Sequence, residues 1–206
     1  MPKKEVPLNH LQQYLPPGTG EAVMSYLQQY KVHLTITRER KTILGDYRHR
    51  THIANHRISV NGNLNTYGFL ITLLHELAHL LTFEQHANRV MAHGTEWKQI
   101  YAQLLKQFLL HHTFPVDIES EILKSLRNPA ASSCAEEGLT RVLRRYDKKE
   151  SNHKLVEELP ANSVFRTDDG RIFQKGEKLR KRFKCREIKS GREYLFSPIY
   201  EVEEVK

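Results

Sequence analysis

One short segment of the sequence combines residue types and spacing that could hold a metal ion: His75-Glu76-Leu77-Ala78-His79. Residues four apart on an α-helix lie one turn apart on the same face, so the two imidazoles can coordinate one ion. Glu76 lies about 100° further around the helix and borders the ion without needing to ligate it. A carboxylate there can take a proton from water. The segment predicts a zinc site with His75 and His79 as ligands and Glu76 as general base.

A catalytic zinc ion usually takes three protein ligands and leaves a fourth position open. We prefer His93 as the third ligand, because a glycine follows it and the next helix starts immediately, so its side chain can reach back. His86, on the same helix as the first two ligands, and Glu96, on the next helix, remain as alternatives. The metzincin spacing would need a glycine and a histidine where this chain has Thr82 and Gln85, so that class is excluded.

The elements that must position these residues follow from hydrophobic periodicity. A helix capped by Asn65 or Thr66 is expected to run to about His86, and its apolar residues cover more than one face, which places it inside a domain. A second helix is expected over about 95–111. Strands are expected upstream over 32–43, 47–53 and 56–60, where apolar and polar residues tend to alternate. These patterns predict an α+β domain.

The rest of the chain suggests further helices and a separate tail. Helices are expected over 8–14, 20–30 and 119–126, and these complete a first domain over residues 1–127. Residues 128–158 are expected to be a linker that carries one short amphipathic helix, with Leu139, Val142, Leu143 and Tyr146 on its apolar side. Residues 159–206 are expected to form a small all-β unit of four or five short strands, with glycines at the turns.

The positive charge of the chain is concentrated in this tail. The 206 residues carry a formal net charge of +8, and residues 171–192 contain ten basic and two acidic residues, which accounts for all of it. Alternation along a strand would place Arg182, Lys184 and Arg186 on one face, an arrangement that suits the binding of phosphate groups. An edge strand protected by charge is the alternative. The predicted contacts for DNA or RNA are Lys178, Arg180, Arg182, Lys184 and Arg186.

Cysteine usage and hydropathy limit the class of protein. Cys134 and Cys185 are too few for a disulfide framework or a four-cysteine zinc site, and two thiols fit a reducing compartment. The longest apolar stretch, 69–83, is interrupted by three ionisable residues and is too short for a membrane span. The N-terminal residues lack the apolar stretch of a signal peptide. The expectation is a cytoplasmic protein without a membrane partner, whose oligomeric state the sequence does not indicate.

The metal motif and its surroundings resemble one known family. The segment 75–79, followed by His93-Gly94 and then by Glu96-Trp97, resembles the SprT-like family, which includes the Spartan proteases that clear proteins crosslinked to DNA. Residues 44–48 and 57–61 are also similar to that family, and the resemblance covers roughly residues 20–127. It implies a minimal zincin, with helices around a small sheet. It also implies that His75, His79 and His93 are the ligands and Glu76 is the base.

The tail departs from the pattern of many SprT-like proteins, which carry a zinc ribbon built on two cysteine pairs. No Cys-x-x-Cys occurs here, so one Zn²⁺ per chain is expected. In this respect the chain most resembles bacterial members, which are often named as transcription-associated.

These observations together predict a zinc-dependent endopeptidase that acts on nucleic-acid-bound proteins. The strand over residues 57–61 is expected to offer an edge to an extended protein substrate. The alternative is a non-catalytic, zinc-containing nucleic-acid-binding or transcription-associated protein, against which the retained Glu76 and the open fourth position argue. A deaminase is disfavoured because no cysteine pair lies near the histidine motif.

Overall fold

A computed structural model describes residues 8–40, 42–127, 129–130, 134, 136–147 and 153–205. The chain divides into a first unit, Met1–Asp147, and a second unit, Lys148–Lys206. The division falls inside the segment 128–158 that the sequence predicts to be a linker. Helices and sheets both occur, as an α+β fold requires.

The sheet of the first unit has three strands: β1 (His33–Thr37), β2 (Gly45–Arg48) and β3 (Arg57–Asn61). β3 lies in the centre, parallel to β1 and antiparallel to β2. The expectation that the Arg57–Asn61 strand offers a free edge to a substrate is therefore wrong, because both of its edges are paired. The strand order depends on contacts between distant segments, which alternation along one strand does not report.

β1 ends earlier than the predicted strand 32–43 because side chains tie the following loop to β3. The Nε of Arg40 donates to Asn61 Oδ1 at 2.7 Å, and one of its Nη atoms donates to Ser59 Oγ at 3.0 Å. The Asn61 amide in turn donates to the carbonyl oxygens of Arg40 and Ile43, both at 3.1 Å. These bonds satisfy the backbone of a loop instead of extending the ladder.

The long central helix of the first unit is α2 (Thr66–His86), which packs on β2 and β3 and also against α3 (Thr95–Leu110). Asn65 caps it, with its Oδ1 accepting from Gly68 N at 2.8 Å. Because both sides are covered, apolar residues around most of its circumference are fully buried, namely Phe69, Leu70, Ile71, Leu73, Leu74, Leu77 and Leu80. No helix among the described residues has an apolar stretch long enough to cross a membrane.

Shorter helices complete the first unit: a 3₁₀ helix (Leu8–Tyr14), α1 (Gly20–Gln29), α4 (Val116–Ser125) and α5 (Glu137–Arg144). The amphipathic helix predicted for the linker is α5, and its apolar side belongs to the core of the first unit. The Asn65 amide donates to Leu143 O at 2.9 Å, and Tyr146 donates to Asp117 at 2.8 Å. The helices and the sheet upstream of residue 127 therefore share one core with α5.

The described part of the second unit consists of six strands and one 3₁₀ turn. The strands are β4 (His153–Leu155), β5 (Val164–Arg166), β6 (Ile172–Lys178), β7 (Phe183–Glu187), β8 (Glu193–Phe196) and β9 (Glu201–Val205). They form an antiparallel sheet in the order β4-β9-β5-β6-β7-β8. The additional strand, β4, begins before residue 159 and pairs with β9. Four of the eight buried residues in the core of this described part are phenylalanines, namely Phe165, Phe173, Phe183 and Phe196.

Candidate metal centre and active-site cleft

Three histidines, two from α2 and one from the loop before α3, converge in the first unit. His75 and His79 lie on α2, and His93 stands just before Gly94, the N-cap of α3. One ligand nitrogen from each lies within 4.8 Å of the others. Within the described ranges, this is the only group of three or more histidine, cysteine, aspartate or glutamate side chains with such spacing. The alternatives for the third position, His86 and Glu96, lie outside the group.

Trp97 fixes the packing of this group. It is fully buried on the first turn of α3, and its ring lies 4.7 Å from that of His75, 5.2 Å from that of His79 and 4.7 Å from that of His93 (centroid distances). The loop between the helices turns sharply at Ala87, which has a φ of 51°. The indole and this turn together bring His93 back to the two histidines of α2.

Two properties of the histidines suit a metal site: His75 and His79 are neutral, and two buried ring nitrogens have no hydrogen-bond partner. Burial, followed by the neighbouring imidazoles, lowers the pKa of His75 to about 3, and burial also lowers the pKa of His79 to about 4. Both rings are therefore neutral near pH 7 and can offer a lone pair. His75 Nδ1 and His93 Nε2 are buried without a hydrogen-bond partner. A buried polar atom left unpaired costs about 1–3 kcal/mol, and a coordinated cation removes that cost. The donor set thus fits zinc.

Glu76 lies beside the histidines but outside their group. It is 5% exposed, and Gly45 of β2 packs directly against its carboxylate. A Cβ atom at position 45 would overlap Glu76 Oε1 and would lie 2.8 Å from Thr72 Cγ2. Burial and the Asp46 carboxylate raise the pKa of Glu76 to about 8, while Arg40 acts in the opposite direction. A neighbouring dication would also lower this pKa.

Comparison with known proteins agrees with this geometry. Residues 19–120 match the family model described as SprT-like family, a region that contains all three histidines and Glu76. Through its first unit, the chain belongs to the SprT-like family. Members of this family generally have a zincin-type metallopeptidase domain and are typically zinc-dependent. No curated protein matches the chain, and no solved structure does.

The SprT-like domain has an open cleft of about 720 Å³ in front of the histidines and Glu76. The loop that contains β2 forms one wall, with Ile43 at its rim, and the loop before α3 forms the other, with Met91. Ile43 is 44% exposed and Met91 is 81% exposed. The cleft is therefore open to solvent and is flanked by apolar side chains.

A chain of polar contacts that the sequence did not reveal, from Tyr47 through His56 to Glu84, supports one side of this cleft. The ring of Tyr47 is parallel to that of His79, within 2° at 6.3 Å between centroids, and its hydroxyl lies 2.9 Å from His56 Nδ1. His56 Nε2 lies 3.3 Å from Glu84 Oε1, which Arg50 Nε also meets at 3.0 Å. Burial, followed by the charge of Glu84, raises the pKa of Tyr47, so the phenol stays protonated and can donate to His56 Nδ1, which also accepts from Arg50 N at 3.3 Å. The only sequence signal was the place of Tyr47 in the family-like segment 44–48.

The five predicted nucleic-acid residues fall in two different environments of the second unit. Lys178, Arg180 and Arg182 lie at the end of β6 and in the turn to β7, where Leu179 N donates to Arg182 O at 2.8 Å. All three are exposed and, in the part of the chain that is described, none of them is ion-paired. Lys184 and Arg186 lie on β7 instead. Lys184 Nζ is 2.9 Å from Glu193 Oε2 on β8, and Arg186 is paired in register with the same glutamate.

Proposed function

We propose that this protein is a zinc-dependent endopeptidase in which His75, His79 and His93 hold one Zn²⁺ and Glu76 is the general base. The observation that carries the proposal is the convergence of three imidazoles beside a buried carboxylate outside their group, at the floor of an open cleft. Zinc bound there supplies Lewis-acid polarisation of a peptide carbonyl. Three ligands leave room for substrate, as a catalytic site requires.

The role of Glu76 is proton transfer. Its carboxylate accepts a proton from the attacking water as the new C–O bond forms, and it then donates that proton to the leaving amide nitrogen as the C–N bond breaks. Contact with Gly45 on one side limits where the carboxylate can lie. The same buried oxygen can therefore serve both transfers.

β2 is the strand that we propose for substrate alignment. It is an edge strand of the sheet, and Gly45 and Tyr47 of β2 line the cleft. An extended peptide can add to such an edge through backbone hydrogen bonds, with its side chains alternating between the cleft and the solvent. This proposal replaces the expectation that assigned the role to β3.

Replacing Gly45 with Ala tests how tightly Glu76 is positioned. The added methyl group overlaps the Glu76 carboxylate, so we expect cleavage to fall by about 10²-fold, as misplacement of a reacting group by 1 Å can cause. Stability is expected to fall by about 1–3 kcal/mol from overpacking. The zinc content should not change. Gly68→Ala is the matched control on α2, because its Cβ would meet no atom closer than 3.5 Å. Wild-type cleavage by Gly45→Ala would show that this contact does not position the base.

We also propose that the substrates are proteins bound to nucleic acid, which the second unit helps to recruit. The support is the set of exposed basic residues at the β6–β7 turn. The test compares cleavage of one protein substrate when free and when bound to DNA, by the wild-type chain and by a turn variant. Cleavage favoured by DNA in the wild type alone supports the proposal, and equal rates in all four reactions contradict it.

The turn residues are expected to contribute more to nucleic-acid binding than the strand residues. In Arg180→Ser with Arg182→Ser, the loss of two phosphate contacts should reduce the salt slope of binding by about 1.4–1.8. Lys184→Ser with Arg186→Ser removes the same charge, but Glu193 already forms an ion pair with Lys184 and lies in register with Arg186, so the slope should change less. Fluorescence anisotropy of a labelled oligonucleotide over a salt series measures both slopes. Equal slopes for the two variants would contradict this ranking.

A further inference from the structure

The first unit has a basic region of its own, in addition to the one in the tail. Outside residues 171–192 the chain has no net charge, yet residues 31–57 contain seven basic and two acidic residues, a surplus of five. The remaining residues are therefore acidic overall. Two of these basic residues, Arg48 and Arg57, lie on the strands β2 and β3 of the small sheet.

The face of this sheet that points away from the core presents polar and charged side chains in register. Leu34 and Ile58 face the core, and the residues that alternate with them form two rows across the three strands. The first row is His33, Arg57 and Arg48, and the second is Thr35, Ser59 and Asp46. These six residues line a cleft of about 270 Å³. We call this surface the outer sheet face.

Two arginines stand directly opposite each other on the outer sheet face. Arg48 and Arg57 are register partners in the antiparallel pair, and like charges in that relation destabilise a sheet. Asp46 Oδ2 lies 3.1 Å from Arg48 Nε and compensates that charge. Arg57 has no carboxylate within ion-pair distance among the residues that the structure describes. The charge of Arg57 therefore remains uncompensated among the described residues.

The floor of the cleft offers a hydrogen-bond donor beside this cation. Ser59 is 8% exposed, and its Oγ accepts from an Nη atom of Arg40 at 3.0 Å, which leaves its hydroxyl proton available to an external acceptor. The Arg40 guanidinium is fixed behind it by Asn61. A hydroxyl backed by one guanidinium and flanked by another is a suitable environment for a phosphate oxygen.

We propose that the outer sheet face binds the phosphate backbone of a nucleic acid, independently of the second unit and of the peptidase activity. Asp46 lines both this cleft and the active-site cleft, so only the width of β2 separates them. A nucleic-acid strand bound at Arg57 therefore passes next to β2, the edge strand along which we propose that the protein substrate aligns. The catalytic unit thus contacts the nucleic acid that carries its substrate.

Arg57→Gln in the full chain tests this proposal. Loss of one phosphate contact should lower affinity for a labelled single-stranded oligonucleotide about fivefold near 0.1 M salt and reduce the salt slope by about 0.7. The thermal midpoint of the free protein should stay the same or rise, because repulsion of Arg48 is relieved. Lys106→Gln on α3 is the matched control, because it removes one exposed charge from another surface of the same unit. Its affinity for the oligonucleotide should stay within about twofold of the wild-type value.

Three results would overturn the proposal. An unchanged affinity and slope in Arg57→Gln would show that Arg57 contacts no phosphate. An equal loss in Lys106→Gln would reduce the effect to net charge. Weaker binding of polyglutamate by Arg57→Gln, with oligonucleotide binding intact, would assign the surface to an acidic protein instead. Arg57→Gln should cleave a free peptide at the wild-type rate, so failure of the peptidase proposal would leave this result unaffected.

Discussion

Replacement of Glu76 with Gln is expected to lower peptide-bond cleavage by about 10²- to 10⁴-fold while the zinc content and the fold remain those of the wild type. The amide has nearly the same shape as the carboxylate, so it fits the same buried space against Gly45. It has no basic oxygen to accept the proton of water. Because Glu76 lies outside the histidine group, its replacement removes no ligand.

The measurement is single-turnover cleavage of a peptide or DNA-bound protein, with zinc content determined on the same preparations. Circular dichroism and the thermal midpoint serve as controls for folding. A Glu76→Gln protein that cleaves as fast as the wild type would exclude this residue as the base. Loss of zinc together with activity would instead indicate that Glu76 is part of the metal site.

Replacement of His93 with Ala is expected to remove tight zinc binding. Only the two imidazoles of α2 would remain as ligands. Loss of a group that only hydrogen-bonds to a metal ligand typically lowers metal affinity about 10- to 100-fold, and loss of a ligand itself should lower the zinc affinity further. His75→Ala and His79→Ala are expected to lose the metal at least as completely. Metal analysis after dialysis against a weak chelator measures the effect.

His86→Ala is the matched control for this experiment, because His86 was the alternative ligand on α2 and lies outside the histidine group. It should retain about one zinc per chain, as expected for a single three-ligand site. Full retention of zinc by His93→Ala, with loss in His86→Ala, would transfer the third position to His86 and contradict the convergence that the structure describes.

Features encoded locally could be predicted from the sequence. The helix that begins after Asn65 has a capping side chain, an apolar circumference and the His75–His79 spacing, all within a few turns, and its bounds matched the expectation closely. The choice of His93 as the third ligand followed from the glycine after it, at the start of the next helix, and from the family resemblance. Contacts such as that between Tyr47 and His56 could not be found, because they depend on how two strands pair.

The same limit applies to charge. Alternation along β7 placed Lys184 and Arg186 on one face, but it did not reveal that Glu193 of β8 lies opposite Arg186 and forms an ion pair with Lys184. The sequence likewise did not reveal that the pairing of β2 with β3 places Arg48 opposite Arg57. A count of basic residues reports how much charge a segment carries, whereas the strand register decides which charges are compensated.

The most direct test of the central claim is removal and restoration of the metal. The wild-type chain is incubated with a DNA-bound protein, first as purified, then after complete chelation, and finally after addition of one equivalent of Zn²⁺ per chain. We expect specific cleavage in the first reaction, none in the second and full recovery in the third. Cleavage that persists in the metal-free protein would contradict a zinc peptidase. Absence of cleavage in the fully zinc-loaded protein would favour the non-catalytic alternative.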